Sequence, residues 1–217
     1  ATDPDWDIAD PRTFHRLSEA VEEGLVDVVL GGPPCATWSR ARFLPTPGPR
    51  PVRTRGEHAW GLPGLSAAEQ ERVDESNVLT INCLALTEGC SSRGGCHLLE
   101  HPEDPGVDPL PSMWDTEEVV EWDRRTSSVR VSFDQCMYGG PTKKPTCVSS
   151  NLDGIEAFDE NRCDGDRHHE RSVGVRRGMH MTRRLQAYPS QLCSAMASLV
   201  VSTLLRFEAS GAGPQAE

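Results

Sequence analysis

The chain has 217 residues, 36% of them hydrophobic and 25% charged, with a net charge of −11. That composition excludes a disordered or low-complexity chain and allows one folded unit with a real core. The acidity excludes the bulk phosphate attraction of a non-specific nucleic-acid binder, and the uninterrupted apolar runs are too short for a bilayer, so no membrane partner is expected.

Ala1 to Pro11 is acidic and polar, which predicts no secretory leader, and the missing initial Met suggests a processed chain or a piece of a longer one. Asp10 is a natural N-cap with Pro11 at the first helical position; Phe14, Leu17 and Val21 share a face, and Gly24 ends the helix. Leu25 to Leu30 is a short β-branched run that reads as a buried strand, stopped by Gly31-Gly32-Pro33-Pro34. A Pro/Gly/Arg-rich loop then extends from about Ala36 to Gly64, long enough to suggest a functional segment. Ser66 to Glu88 is predicted helical, with Ser66 and Glu69 in a capping-box pattern. Cys96 to Glu100 is a second buried strand, Asp115 to Trp122 a short helix, Ser128 to Phe133 an alternating strand, and Pro145 to Val148 a weaker strand. Asn151 to Gly178 is polar and has no assignment. Tyr188-Pro189 opens a last helix to about Phe207, and Ala209 to Glu217 reads as a disordered tail. Alternating strands and helices predict an α/β sheet covered on both faces.

Charge is uneven along the chain. Arg40 to Arg55 carries five arginines and no acid, as does Arg171 to Arg184, so each stretch either faces nucleic acid or forms a solvated loop. The eight cysteines include no C-x-x-C pair, and Cys83 and Cys193 lie in apolar helical patterns; reduced thiols in an intracellular setting are expected. Cys136, Cys147, Cys163, His168, His169 and His180 share one third of the chain, but their spacing fits no standard zinc module. Buried thiols and surface histidines are the expected reading, so no metal ligand is assigned. A structural metal on residues such as Cys136, Cys163 and His168, supporting an interaction module, is the alternative.

The sharpest motif is a strand followed by Gly31-Gly32-Pro33-Pro34-Cys35-Ala36-Thr37-Trp38-Ser39. A tight turn there leaves a thiol at the carboxyl end of a parallel strand, where open α/β sheets bind ligands. With Trp6-Asp7-Ile8 upstream, Leu98-Leu99-Glu100-His101-Pro102, Tyr138-Gly139-Gly140-Pro141-Thr142-Lys143-Lys144-Pro145-Thr146 and Thr182-Arg183-Arg184-Leu185-Gln186-Ala187-Tyr188-Pro189 downstream, it forms an ordered series that resembles the DNA cytosine-5 methyltransferase family over roughly residues 6–207. Ala36 replaces that family's Gln, only Glu100 is kept of its Glu-Asn-Val, and Thr142, Lys144 and Thr146 replace its Gln and two Arg.

The resemblance implies a Rossmann-like S-adenosylmethionine-dependent methyltransferase sheet, incomplete at the N-terminus. It would span residues 1–208, with 147–181 as a short irregular insert in place of a target-recognition region. Cys35 would be the nucleophile and Glu100 the group that protonates the cytosine ring. Asp7, Ile8 and Pro33 would contact S-adenosylmethionine; Ser39, Arg40, Arg42, Lys144 and Thr146 would contact the DNA, with the loop bearing Arg53 and Arg55 closing over it. The implied partners are cytosine-containing DNA and a missing N-terminal segment or partner chain, in an intracellular location that is nuclear in a eukaryote. The alternative is an inactive methyltransferase-like relic serving binding or assembly.

Overall fold

The computed structural model describes residues 6–45, 48–166, 168–170, 174–176, 179–180, 185 and 187–210. Helix α1 (Pro11–Glu22) starts where Asp10 accepts from the Arg12 backbone N–H, and β1 (Val28–Gly31) follows. Helix α2 (Ala67–Ser92) begins with the predicted capping box: the Glu69 carboxylate accepts from the Ser66 backbone N–H at 2.9 Å and from its hydroxyl at 2.8 Å. Strand β2 (Cys96–Pro102), α3 (Glu117–Thr126), β3 (Val129–Asp134), β4 (Pro145–Ser150) and α4 (Ser190–Ser210) complete the main body. A small antiparallel pair joins β5 (Val175–Arg176) to β6 (Met179–His180).

The main sheet is mixed, in the order β1-β2-β4-β3, with β1 parallel to β2 and β4 antiparallel to both β2 and β3. The protein is therefore an α/β fold. Alternation along β2 sends Leu99 into a cluster with Leu84, Trp114, Val119 and Trp122 under α2 and α3, and Cys96 and Leu98 into a second cluster with Phe133, Val148, Leu192 and Met196 under α4. Helix α1 packs on α2 through Val21, Leu86 and Cys90.

Several expectations need correcting. The first strand is not fully buried: β1 pairs only with β2 among the described residues, and its Leu30 is 59% exposed. A short apolar run cannot distinguish a central from an edge strand. The segment expected to be an irregular insert contributes to the core, since Leu152, Ile155 and Phe158 are buried against β3 and β4. The last helix runs through Ser210, two residues into the expected tail, and residues 211–217 lie outside the described residues. That helix is also long and apolar enough to cross a bilayer by length and composition, contrary to the expectation from uninterrupted runs. Here Leu192 and Met196 are buried in the second cluster, and Val201 and Leu205 are exposed.

Candidate active site

Because β1 and β2 are parallel and in register from Val28↔Cys96 to Gly31↔Leu99, the turn after β1 and the end of β2 open on the same edge of the sheet. Gly32 lies beside Glu100. A Cβ at that position would stand 2.8 Å from the Tyr188 hydroxyl and 3.9 Å from Glu100 Oε2, so the backbone approach there admits no side chain without displacing Tyr188. Glu100 is nearly buried on the α4 face of β2. Its Oε2 accepts from the Tyr188 hydroxyl at 2.7 Å, Lys144 Nζ stands 3.9 Å from Oε1, and Oε1 is sealed from solvent without a hydrogen-bond partner. Cys35 is half-buried at the same edge.

The charges are coupled. Burial pushes the Cys35 thiol upward, the Lys144 ammonium opposes that, and the Glu100 carboxylate adds to it. Burial also raises the Glu100 pKa, against the pull of Lys144 and the Tyr188 hydrogen bond. Tyr188 is pushed up by burial and by Glu100. Lys144 has φ +32°, a conformation few non-glycine residues adopt, and its ammonium donates to the Leu185 carbonyl at 3.0 Å and stands 5.4 Å from the Tyr188 ring centroid. Such strain persists where surrounding structure holds it.

Beneath this edge lies an aromatic stack. Trp38, three residues after Cys35, packs edge-on against His101, which packs edge-on against Trp114. The Arg53 guanidinium covers the Trp38 ring at 4.2 Å. Neither ring nitrogen of His101 has a hydrogen-bond partner, and burial, with Arg53 and Lys144 adding, drives its pKa down to about 3. The turn is fixed from the other side by the Thr37 hydroxyl, 3.0 Å from the Ser76 hydroxyl, which donates to the Pro34 carbonyl.

Of the ten site residues expected from sequence, the fold gathers Cys35, Glu100 and Lys144. Thr146 is not a surface contact: it is fully buried, accepting from Gln135 Nε2 at 3.0 Å and donating to the Lys144 carbonyl. The arginine loop does not present a basic face. Arg53 is fully buried and donates to Ala59, Val73 and Asn77; Arg55 pairs with Asp104 and Asp115; Arg50 pairs with Glu69. Arg42 donates to the carbonyls of Ala36 and Arg50. Arg40 is exposed, and Ser39 uses its hydroxyl to accept from the Ala41 N–H. A run of like charges in sequence does not reveal which acids and carbonyls the loop will meet. The second basic stretch lies mostly outside the described residues, as do Thr182, Arg183, Arg184 and Gln186 of the fourth motif.

On the expected cofactor side, the exposed Asp7 uses its carboxylate to accept from the Ala9 N–H at 2.9 Å, Ile8 packs against the core with its carbonyl held by Asn82, and Pro33 is buried. Sequence reasoning did not place Tyr188 or His101 in the site. Tyr188 was detectable as a hydroxyl-bearing ring at the position where the fourth motif has Phe; His101 had no signal beyond its adjacency to Glu100.

Comparison with models of known protein families, with characterised proteins and with solved structures finds no match. What the molecule establishes by itself is a class: a mixed α/β sheet with a thiol, a buried carboxyl, an ammonium and a phenol converging at the carboxyl edge of two parallel strands.

Proposed function

We propose that this edge is the catalytic end of a Rossmann-like cytosine-5 methyltransferase domain acting on DNA, with Cys35 as nucleophile and Glu100 as the acid. The observation that carries the reading is the meeting of Cys35, Glu100 and Lys144, which lie far apart in sequence, where β1 and β2 end together. A target base must leave its helix to reach such a site, and a carboxylic acid can then read its pairing edge.

The charge coupling gives the chemistry a direction. A thiolate at Cys35 is disfavoured beside an ionised Glu100 and favoured beside Lys144. Protonated Glu100 removes the opposing charge and holds the proton that ring nitrogen 3 needs. Attack of the Cys35 sulfur on carbon 6 forms the S–C bond as Glu100 delivers its proton to nitrogen 3, leaving an enamine whose carbon 5 is nucleophilic. S-adenosylmethionine, when bound, supplies the methyl group. Loss of the carbon 5 proton to a base, return of the nitrogen 3 proton to Glu100 and departure of the thiolate would restore the ring.

The residues present make only a partial fit to that cofactor. Ile8 and Asp7 supply an apolar surface and a carboxylate suited to an adenine, but Pro33 is buried, and the described residues form no complete cradle. In this reading a preceding segment or partner chain supplies the remainder, and the edge of β1, unpaired among the described residues and with Leu30 exposed, is suited to receive a strand. The second reading, an inactive methyltransferase-like module that binds or assembles, draws on the same partial cradle and on the sealed Glu100 Oε1.

Two measurements separate them. DNA carrying 5-fluorocytosine should trap wild-type protein as a denaturation-resistant adduct in the presence of S-adenosylmethionine, and Cys35→Ser should abolish it; an adduct that survives the substitution removes Cys35 as nucleophile. Calorimetric titration with S-adenosylmethionine, on this chain and on one extended at its N-terminus, separates the two: binding only in the longer chain marks the enzyme reading, and no binding in either marks the inactive one.

A further inference from the structure

A second cluster of reactive side chains lies beyond the Cys35 edge. The 3-10 turn Gln135–Tyr138 after β3 carries Cys136, and the chain returns after β4 to bring Cys163 and His169 to it. The possible ligand atoms of these three residues all lie within 4.8 Å of one another. Cys163 Sγ and His169 Nε2 are 3.5 Å apart. Zinc bonds of about 2.3 Å to sulfur and about 2.0 Å to nitrogen, at a tetrahedral angle, place those atoms roughly 3.5 Å apart. His169 meets the thiols, whereas His168 is exposed.

The surroundings hold the Cys163 sulfur in place. The Gly165 backbone N–H donates to Cys163 Sγ at 3.4 Å, which requires the chain to turn sharply; Gly165 does so with φ +93°, where a side chain would be strained. A donor aimed at the sulfur fixes its orientation, as outer partners do for metal ligands. The Cys163 backbone is held at both ends: its N–H donates to Asp134 Oδ2 at 2.8 Å, and its carbonyl accepts from Lys143 Nζ at 3.3 Å. No disulfide joins the two cysteines.

We propose that Cys136, Cys163 and His169 bind a zinc-class divalent ion that clasps Cys163 and His169 to the β3–β4 connection. Binding displaces one proton from each thiol, uses neutral His169 through Nε2, and leaves the fourth tetrahedral position to solvent. The connection being clasped carries Lys144, so the ion would stiffen the segment that delivers the ammonium to Glu100. The cluster stands on its own geometry, independent of any chemistry at Cys35. The sequence groups Cys136 and Cys163 with His168 and His169, but it does not show that His169 rather than His168 meets the thiols, because the ligands lie on two separate returns of the chain.

The full chain, purified without chelator, exposed to zinc and desalted, should retain one zinc per chain by elemental analysis. Loading with cobalt(II) should give thiolate-to-metal charge-transfer absorption. Cys163→Ser and His169→Ala should each lose most of the zinc, and Cys163→Ser should weaken the charge-transfer band. Cys147→Ser, a buried thiol outside the cluster, should keep both signals. His169 is only half-buried, so His169→Ala is expected to stay folded by far-ultraviolet circular dichroism even if Cys163→Ser does not. Wild-type protein that retains no zinc and develops no cobalt absorption overturns the proposal, as does zinc retention unchanged in His169→Ala.

Discussion

The Gly31–Ser39 turn holds its thiol half-buried at the sheet edge, whereas the loop directly after it turns Arg53 into the core and commits Arg42, Arg50 and Arg55 to carbonyls and acids. Both segments leave the same strand, and both carry residues that read as functional. The difference lies in what fixes them. The shape of the turn is set by local backbone constraints, two glycines and two prolines, and the register of β1 with β2 then brings it beside Glu100. The loop is set by whichever partners each guanidinium meets after folding, and those partners lie in the turn and loop themselves, in α2 and in the segment after β2.

The sharpest way to break this comparison is to remove one arginine of each kind. Arg53→Leu leaves the Ala59 and Val73 carbonyls and the Asn77 side chain without their donor and strips the cation from the Trp38 ring. Buried groups left unpaired cost about 1–3 kcal/mol each, so a loss of roughly 3–5 kcal/mol is expected from the shift of a urea unfolding midpoint. Arg40→Leu should move the same midpoint by no more than about 0.5 kcal/mol. Equal shifts would mean that Arg53 is no more structural than its exposed neighbour.

Acid should act on the scaffold beneath the turn. Burial brings the pKa of His97 down to about 4, and burial with Arg53 and Lys144 brings that of His101 down to about 3. An unfolded histidine titrates near ~6.5. As pH falls below that value the unfolded chain takes up protons that the folded chain refuses, so stability is lost on acidification. The slope approaches about 1.4 kcal/mol per pH unit for each histidine. Glu100 works in the opposite sense, because its raised pKa favours the proton in the folded state. Unfolding free energy measured between neutral pH and pH 4 should therefore fall steeply in the wild type, and His101→Phe should remove about one histidine's share of the slope. An unchanged slope would place the proton uptake elsewhere.

Much of the framework was legible in sequence, and the reasons are local. The cap at Asp10, the capping box at Ser66 and Glu69, and the strand ending at the Gly31-Gly32 turn each depend on residues within a few positions of one another. The edge position of β1 was not legible, since an apolar strand reads alike whether one or both of its sides are paired. Nor was the burial of Thr146, which follows from the central place of β4 between β2 and β3, where Thr146 to Ser150 are all buried. The metal-like cluster was legible in part: Cys136 and Cys163 stood out as candidates, but the histidine that joins them, His169 rather than His168, is decided by tertiary contact.

Tyr188 offers the finest test, because the difference between the site and its expected form is a single oxygen. Its hydroxyl donates to Glu100 Oε2, the atom a bound pyrimidine would also engage, while Oε1 is sealed beneath Lys144. In the proposed reading the phenol stands at the hydrogen-bonding position of a base, and a base would have to displace it to reach the acid. Tyr188→Phe keeps the ring that Lys144 covers and removes only the donor. One lost hydrogen bond to a carboxyl group should cost about 1–2 kcal/mol of stability. Without that donor the Glu100 pKa should rise further, leaving more of the acid protonated and its Oε2 unoccupied. If Cys35 and Glu100 act together on a pyrimidine, adduct formation with 5-fluorocytosine DNA should then be as fast as in the wild type or faster, despite the lower stability. Slower adduct formation at equal folded fraction would show that the phenol assists the chemistry rather than standing in for the substrate.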